Sequence, residues 1–168
     1  MMIPKLPLDI AVDAFIDYTT THFSFVTKAI SGIMKVGIDS VNDFLMFIPP
    51  LILIILFVAF AWYFSTKSIA VFTASGLLVI WNLGLWAASI STLTLVIIST
   101  FLSILAGVPL GIIAALKPGV RRITMPVLDF MQTMPAFVYL IPAIPFFGLG
   151  VVSAVFTTVI FSMPPAIR

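Results

Sequence analysis

The chain has 168 residues, of which 62% are hydrophobic and only 8% charged, with a net charge of +2. Soluble domains carry about 25% charged residues, so this composition cannot cover a water-facing surface and points to a bilayer. The small positive balance comes without a basic run and gives no ground for a nucleic-acid partner. With no cysteine and one histidine, His22, disulfides, thiolate chemistry and multi-histidine metal sites are excluded, and no cofactor or metal is expected.

The N-terminal region differs in kind from the rest. Leu8, Ala11, Val12, Phe15 and Ile16 recur at helical spacing, with Asp9, Asp13 and Asp17 on the opposite face. These acids replace the basic start of a secretory signal, so the segment is expected to be retained. After a break at Thr19–Thr21 the pattern resumes. Phe23, Val26, Ile30, Ile33, Met34, Val41 and Phe44 fall on one side, and Lys28, Lys35, Asp39 and Asn42 on the other. Such helices lie in the membrane interface or pack on the protein's own spans. In either case they do not cross.

Three stretches then lack any charge: Phe44–Thr66, Ser68–Leu116 and Phe130–Ile167. A span needs roughly 20 apolar residues, because about 30 Å of hydrocarbon is crossed at about 1.5 Å per residue. The expected spans are 47–64, 69–86, 90–116, 124–147 and 151–165, five in all. All must be helical, since an open sheet leaves unpaired edges in lipid. Pro49 and Pro50 suit the opening turn of the first. Lys117-Pro118-Gly119 stops the third, and Gly148-Leu149-Gly150 turns between the last two. Lys67, then Lys117, Arg121 and Arg122, then Arg168 fall in alternate gaps, which places those gaps in the cytoplasm and the N-terminus outside.

Little here could carry catalysis. There is no phosphate-binding Gly-x-x-x-x-Gly-Lys loop, and no carboxylate pair lies within the spans. Asp129 is the only acid after Asp43. It either marks a functional site or offsets Arg121 or Arg122 near the headgroups. Gly107 and Gly111 share a face of the third span and let a neighbouring helix come close, while Pro109 bends it, so packing and a hinge both fit. The fourth span is interrupted by Pro126, Pro135, Pro142 and Pro145. It also carries Gln132, Thr133 and Tyr139. Broken backbone at membrane depth is tolerated where protein or a water-filled cavity satisfies it, so this stretch is either a kinked structural helix or the lining of a transport route.

The run Asp129-Phe130-Met131-Gln132-Thr133-Met134-Pro135-Ala136-Phe137-Val138-Tyr139-Leu140-Ile141-Pro142 resembles the permease subunits of glycine betaine/proline-type ABC importers. Pro109-Leu110-Gly111-Ile112, Phe147-Gly148-Leu149-Gly150 and Pro164-Pro165-Ala166-Ile167-Arg168 match in order. The resemblance covers roughly residues 45–168. It implies an all-α polytopic transmembrane bundle in the cell membrane, a partial type I importer permease fold, working as a homodimer. It further implies two cytoplasmic ATP-binding subunits and an extracytoplasmic substrate-binding protein or domain. The chain itself would not be an enzyme. Implied solutes are glycine betaine, proline betaine, proline, and in some members choline or carnitine, taken up for osmoprotection. On this reading 1–43 is an extracytoplasmic or interfacial tail, 44–88 holds two N-terminal spans, and 89–168 is an incomplete permease core. Gln132, Thr133, Pro135, Phe137 and Tyr139 are the expected pathway residues, and Gly107, Pro109 and Gly111 the packing or hinge residues.

One departure from the family is plain. Its permeases carry a cytoplasmic Glu-Ala-Ala docking loop and two further spans beyond the position of Arg168, and this chain stops there. The contrasting reading is a truncated, non-transporting membrane fragment or scaffold. An ion-coupled carrier is disfavoured because no embedded acid pair is present.

Overall fold

The computed structural model describes residues 8–168, apart from the side chains of residues 8–13 and 15. The described residues form eight helices and no strand: α1 (Leu8–His22), α2 (Ser24–Phe47), α3 (Pro50–Phe64), α4 (Lys67–Asn82), α5 (Trp86–Leu116), α6 (Pro118–Thr133), α7 (Phe137–Phe147) and α8 (Val151–Ile167). The all-helical expectation holds.

The chain divides into two compact units. One holds the described residues up to Lys35 together with Ile98–Arg168, and the other holds Val36–Ile97. In the second unit α3 packs along α4. Pro50 sits in the opening turn of α3, where its missing N–H costs nothing. Thr66 caps α4, its Oγ1 accepting from the Ile69 amide at 3.4 Å. Trp62, Tyr63 and Phe64 close α3 beside Lys67, and Trp81 and Trp86 flank the next turn, where Gly84 takes a φ of 73°. Aromatic rings beside a cation are the signature of a membrane–water boundary. Ile38, Leu53, Ile54, Ala70 and Ile90 are buried in this unit. Ser91 donates to Asn42 Oδ1 at 3.3 Å, joining α5 to α2 within it.

The first unit contains α1, the opening turns of α2, most of α5, and α6, α7 and α8. The expected break at Thr19–Thr21 does not occur there. The Thr19 and Thr20 hydroxyls bond back to the Ile16 carbonyl at 3.0 and 2.8 Å, and α1 runs on to His22. Only Phe23 separates α1 from α2. Of the faces expected on α1, Asp17 is exposed, while the placements of Leu8, Asp9, Ala11, Val12, Asp13 and Phe15 lie outside the described residues.

Among the described residues, α5 is the one single helix long and apolar enough to cross a membrane. Its 31 residues reach about 46 Å at 1.5 Å per residue. Helices α3, α4 and α8 have 15, 16 and 17 residues. They extend only about 22 to 26 Å, short of a hydrocarbon core of about 30 Å. The pairs α2–α3 and α6–α7 are each apolar enough together, but bend by 93° and 97° at their breaks. The expected fourth span, 124–147, is therefore two helices rather than one. Lys117 ends α5, as expected, yet no loop follows. Pro118 immediately opens α6 at a position where a proline is preorganised, so Arg121 and Arg122 lie within a helix.

Candidate functional site

The elbow between α6 and α7 follows from one residue. A proline disfavours the helical region for the residue before it, and Met134, preceding Pro135, is extended at φ −91° and ψ 135°. The chain re-enters a helix at Phe137, with the Val138 amide bonded to the Pro135 carbonyl at 3.0 Å and that of Tyr139 to Ala136 at 3.1 Å. Tyr139 then reaches back across the corner, its hydroxyl donating to the Met131 carbonyl at 2.8 Å. That bond closes the elbow. The other prolines of this stretch, Pro126, Pro142 and Pro145, lie inside helices. In α7 they remove the bonds to the Val138 and Ile141 carbonyls, which must then find protein or water.

The expected pathway residues are gathered at this elbow but do not all face the same way. Gln132, Thr133 and Pro135 are exposed, with Thr133 Oγ1 bonded to the Phe130 carbonyl at 2.8 Å. Phe137 is 75% exposed, whereas Tyr139 is half-buried. Tyr139 lines a pocket of about 320 Å³ with Phe146, Phe147, Phe156, Pro142 and Thr27. The Phe147 and Phe156 rings lie 4.6 Å apart between centroids. Reading the sequence singled out Tyr139 and missed the other three rings, because their convergence depends on α7 folding back onto α8. The turn permitting this uses Gly148 at φ 78° and Gly150 at φ 153°, both left-handed conformations that suit glycine. Ser153 Oγ bonds the Gly148 carbonyl and fastens it. A pocket of aromatic faces without a charged side chain can hold apolar groups or a quaternary ammonium, which has no proton to donate and is drawn to ring faces.

A second feature is the seam between α5 and α8. Ser103, Gly107 and Gly111 follow at intervals of one turn along α5. Ser103 Oγ lies 2.5 Å from Ser162 Oγ and 3.3 Å from the Val159 carbonyl. A Cβ placed on Gly107 would stand 2.7 Å from the Ala166 Cβ, and one on Gly111 would stand 2.6 Å from the Ile167 carbonyl oxygen. Both glycines are thus in backbone-close contact with the end of α8. Pro109 sits between them on the exposed side, inside a helix it does not break.

Asp129 is not offset by Arg121 or Arg122. It pairs with Arg168, distant by 39 residues, at the end of α8. Arg122 lies about two turns back along the same helix, outside the reach of i, i+3 and i, i+4 neighbours. Their side chains are 66% and 40% exposed, and a pair so open to solvent adds about 0 to 1 kcal/mol. Among the described residues no cluster of His, Cys, Asp or Glu could hold a metal ion.

No family model matches the chain. Curated relatives do. It is 48% identical over 166 residues to the glycine betaine transport system permease protein OpuAB of Bacillus subtilis, covering 99% of the chain and 59% of that protein. It is 43% identical to the glycine betaine/carnitine transport permease protein GbuB of Listeria monocytogenes, over 99% of the chain and 60% of the relative. To the glycine betaine/proline betaine transport system permease protein ProW of Escherichia coli it is 38% identical, over 97% of the chain and 46% of the relative. The chain thus spans 59 and 60% of the first two and less than half of the third. The resemblance carried by the Asp129–Pro142 run holds: over nearly its whole length the chain is a relative of glycine betaine permease proteins, and it spans part of their length.

Proposed function

We propose that the chain is membrane-spanning permease sequence of an ATP-driven ABC importer for compatible solutes. The observation that carries this is 48% identity across 99% of the chain to a glycine betaine permease. Such identity favours transport over the contrasting reading of a non-transporting fragment or scaffold. The solutes are glycine betaine and its close kin, proline betaine, proline, choline or carnitine, taken up for osmoprotection. The permease works as a homodimer in the cell membrane. ATP is hydrolysed on separate cytoplasmic subunits, and an extracytoplasmic protein or domain delivers the solute.

In this reading the N-terminus and residues 1–43 lie outside, 44–88 supply two accessory spans, and 89–168 belong to the permease core. The alternate placement of Lys67, of Lys117 with Arg121 and Arg122, and of Arg168 supports a cytoplasmic Arg168 end. The α6–α7 elbow, with Gln132, Thr133, Pro135, Phe137 and Tyr139, lines the solute route. Its broken backbone supplies carbonyls, and the Tyr139, Phe146, Phe147 and Phe156 rings offer a weak transit contact for a trimethylammonium head. Gly107, Pro109 and Gly111 allow α5 to move against α8.

The test is uptake of radiolabelled glycine betaine by cells stripped of their own osmolyte importers, expressing the full-length permease with its ATPase and binding protein. Accumulation against a gradient, abolished by inactivating the ATPase, is expected. Membrane-inserted permease without accumulation above the vector control would refute it.

A further inference from the structure

The end of α8 is held at three points. Ala166 lies against Gly107, the Ile167 carbonyl lies against Gly111, and the Arg168 guanidinium is paired with Asp129 of α6. Ile167 and Pro164 are buried, as are Ala114 on α5 and Leu128 beside Asp129. Gly111 brings the α5 backbone against the Ile167 backbone and Gly107 lets the Ala166 methyl sit against α5, which sets distance but leaves the helices able to slide or roll on each other. Asp129 adds what the glycines lack, a directional bond that fixes one rotation of α8's end relative to α6. Its exposure makes that bond weak as a source of stability.

Asp129 is the only acid beyond Asp43, in a chain where from Lys67 onward charge occurs only at Lys67, Lys117, Arg121, Arg122, Asp129 and Arg168. This one carboxylate at the edge of the bundle is matched to a cation on another helix. We propose that Asp129 is a positioning residue for the chain where it leaves α8. With Gly107 and Gly111 it seats Arg168, so that force applied beyond Arg168 by an ATP-driven partner is passed to α5 and α6 together. This rests on the importer reading above.

The experiment uses the full-length permease reconstituted with its ATPase and binding protein in proteoliposomes, scored as solute moved per ATP hydrolysed. D129R and R168D should each lower that ratio by about fivefold or more, the low end of ordinary coupling between sites. ATP hydrolysis itself should persist in both. The exchanged pair D129R/R168D should recover most of the wild-type ratio, which a general folding defect would not do. Unchanged coupling in either single reversal, or an exchanged pair no better than the singles, overturns the proposal. Should a reversal fail to reach the membrane, D129N decides: its ratio is expected to fall, and an unchanged ratio overturns the proposal equally. Wild-type complex that hydrolyses ATP without moving solute would instead refute the importer reading. In that case the cysteine-free chain still permits a direct check. D129C/R168C should be joined by a short bifunctional thiol reagent in membranes, and failure to join two reactive cysteines overturns the clasp.

Discussion

The α3–α4 hairpin and the α5–α8 seam are both helix pairs in an apolar chain, yet they are made on different terms. Along α3, Leu51, Ile52, Ile55, Leu56 and Phe60 are exposed, and Phe72 and Val71 are exposed on α4. α3 is apolar on every side, so lipid can cover whatever α4 does not. The seam instead uses glycine at Gly107 and Gly111 and a hydroxyl pair at Ser103 and Ser162. In hydrocarbon, burying apolar surface gives no drive to associate, so close approach and hydrogen bonding must do it. Abundant apolar residues tell a helix to enter the membrane; scarce small and polar ones tell it where to stand.

Substitutions of graded severity sharpen that contrast. Gly111→Val should cost most, because the Ile167 backbone cannot yield as a flexible side chain would. Overpacking of this kind costs about 1–3 kcal/mol or more, read as a lower Tm in detergent and reduced membrane abundance. Tyr139→Leu comes next. On the proposed importer reading, loss of the ring in the full-length permease should raise the KM for glycine betaine uptake by up to about tenfold. Tyr139→Phe should leave KM unchanged and lose only the bond to Met131, about 0.5–1.5 kcal/mol of stability. Ser103→Ala removes an interhelical hydroxyl pair and should cost about 0.6 kcal/mol by the same unfolding measurement. Ile55→Ala, on the exposed face of α3, should stay within about 0.5 kcal/mol of wild type. If Ile55→Ala destabilised as much as Gly111→Val, the distinction between the two regions would fail.

What could be read from residue order was local. The greasy body of α5, its stop at Lys117, the Gly148–Gly150 turn and the closeness allowed by Gly107 and Gly111 follow from runs of one turn or two. Hydropathy reports the solvent around a helix and not its direction, so the 97° elbow inside 124–147 was invisible to it. The clue was present in Pro135, which acts on Met134 alone, whereas Pro126, Pro142 and Pro145 are absorbed within helices. Which proline breaks a helix depends on whether its neighbours can rescue the freed carbonyl, a tertiary matter. Contacts across long separations were equally hidden. Asp129 has nearer cations to choose from, and residue order alone does not show that Phe146, Phe147 and Phe156 meet where α7 turns back on α8.

The seam between α5 and α8 is tested most directly by a single cross-link. The native chain has no cysteine, so S103C/S162C introduces the only two, at positions whose side-chain oxygens lie 2.5 Å apart. Mild oxidation in membranes should close an intramolecular disulfide in nearly every molecule. Two free, reactive thiols after the same treatment would show that α8 does not lie against α5 there, and the packing described for this unit would be wrong.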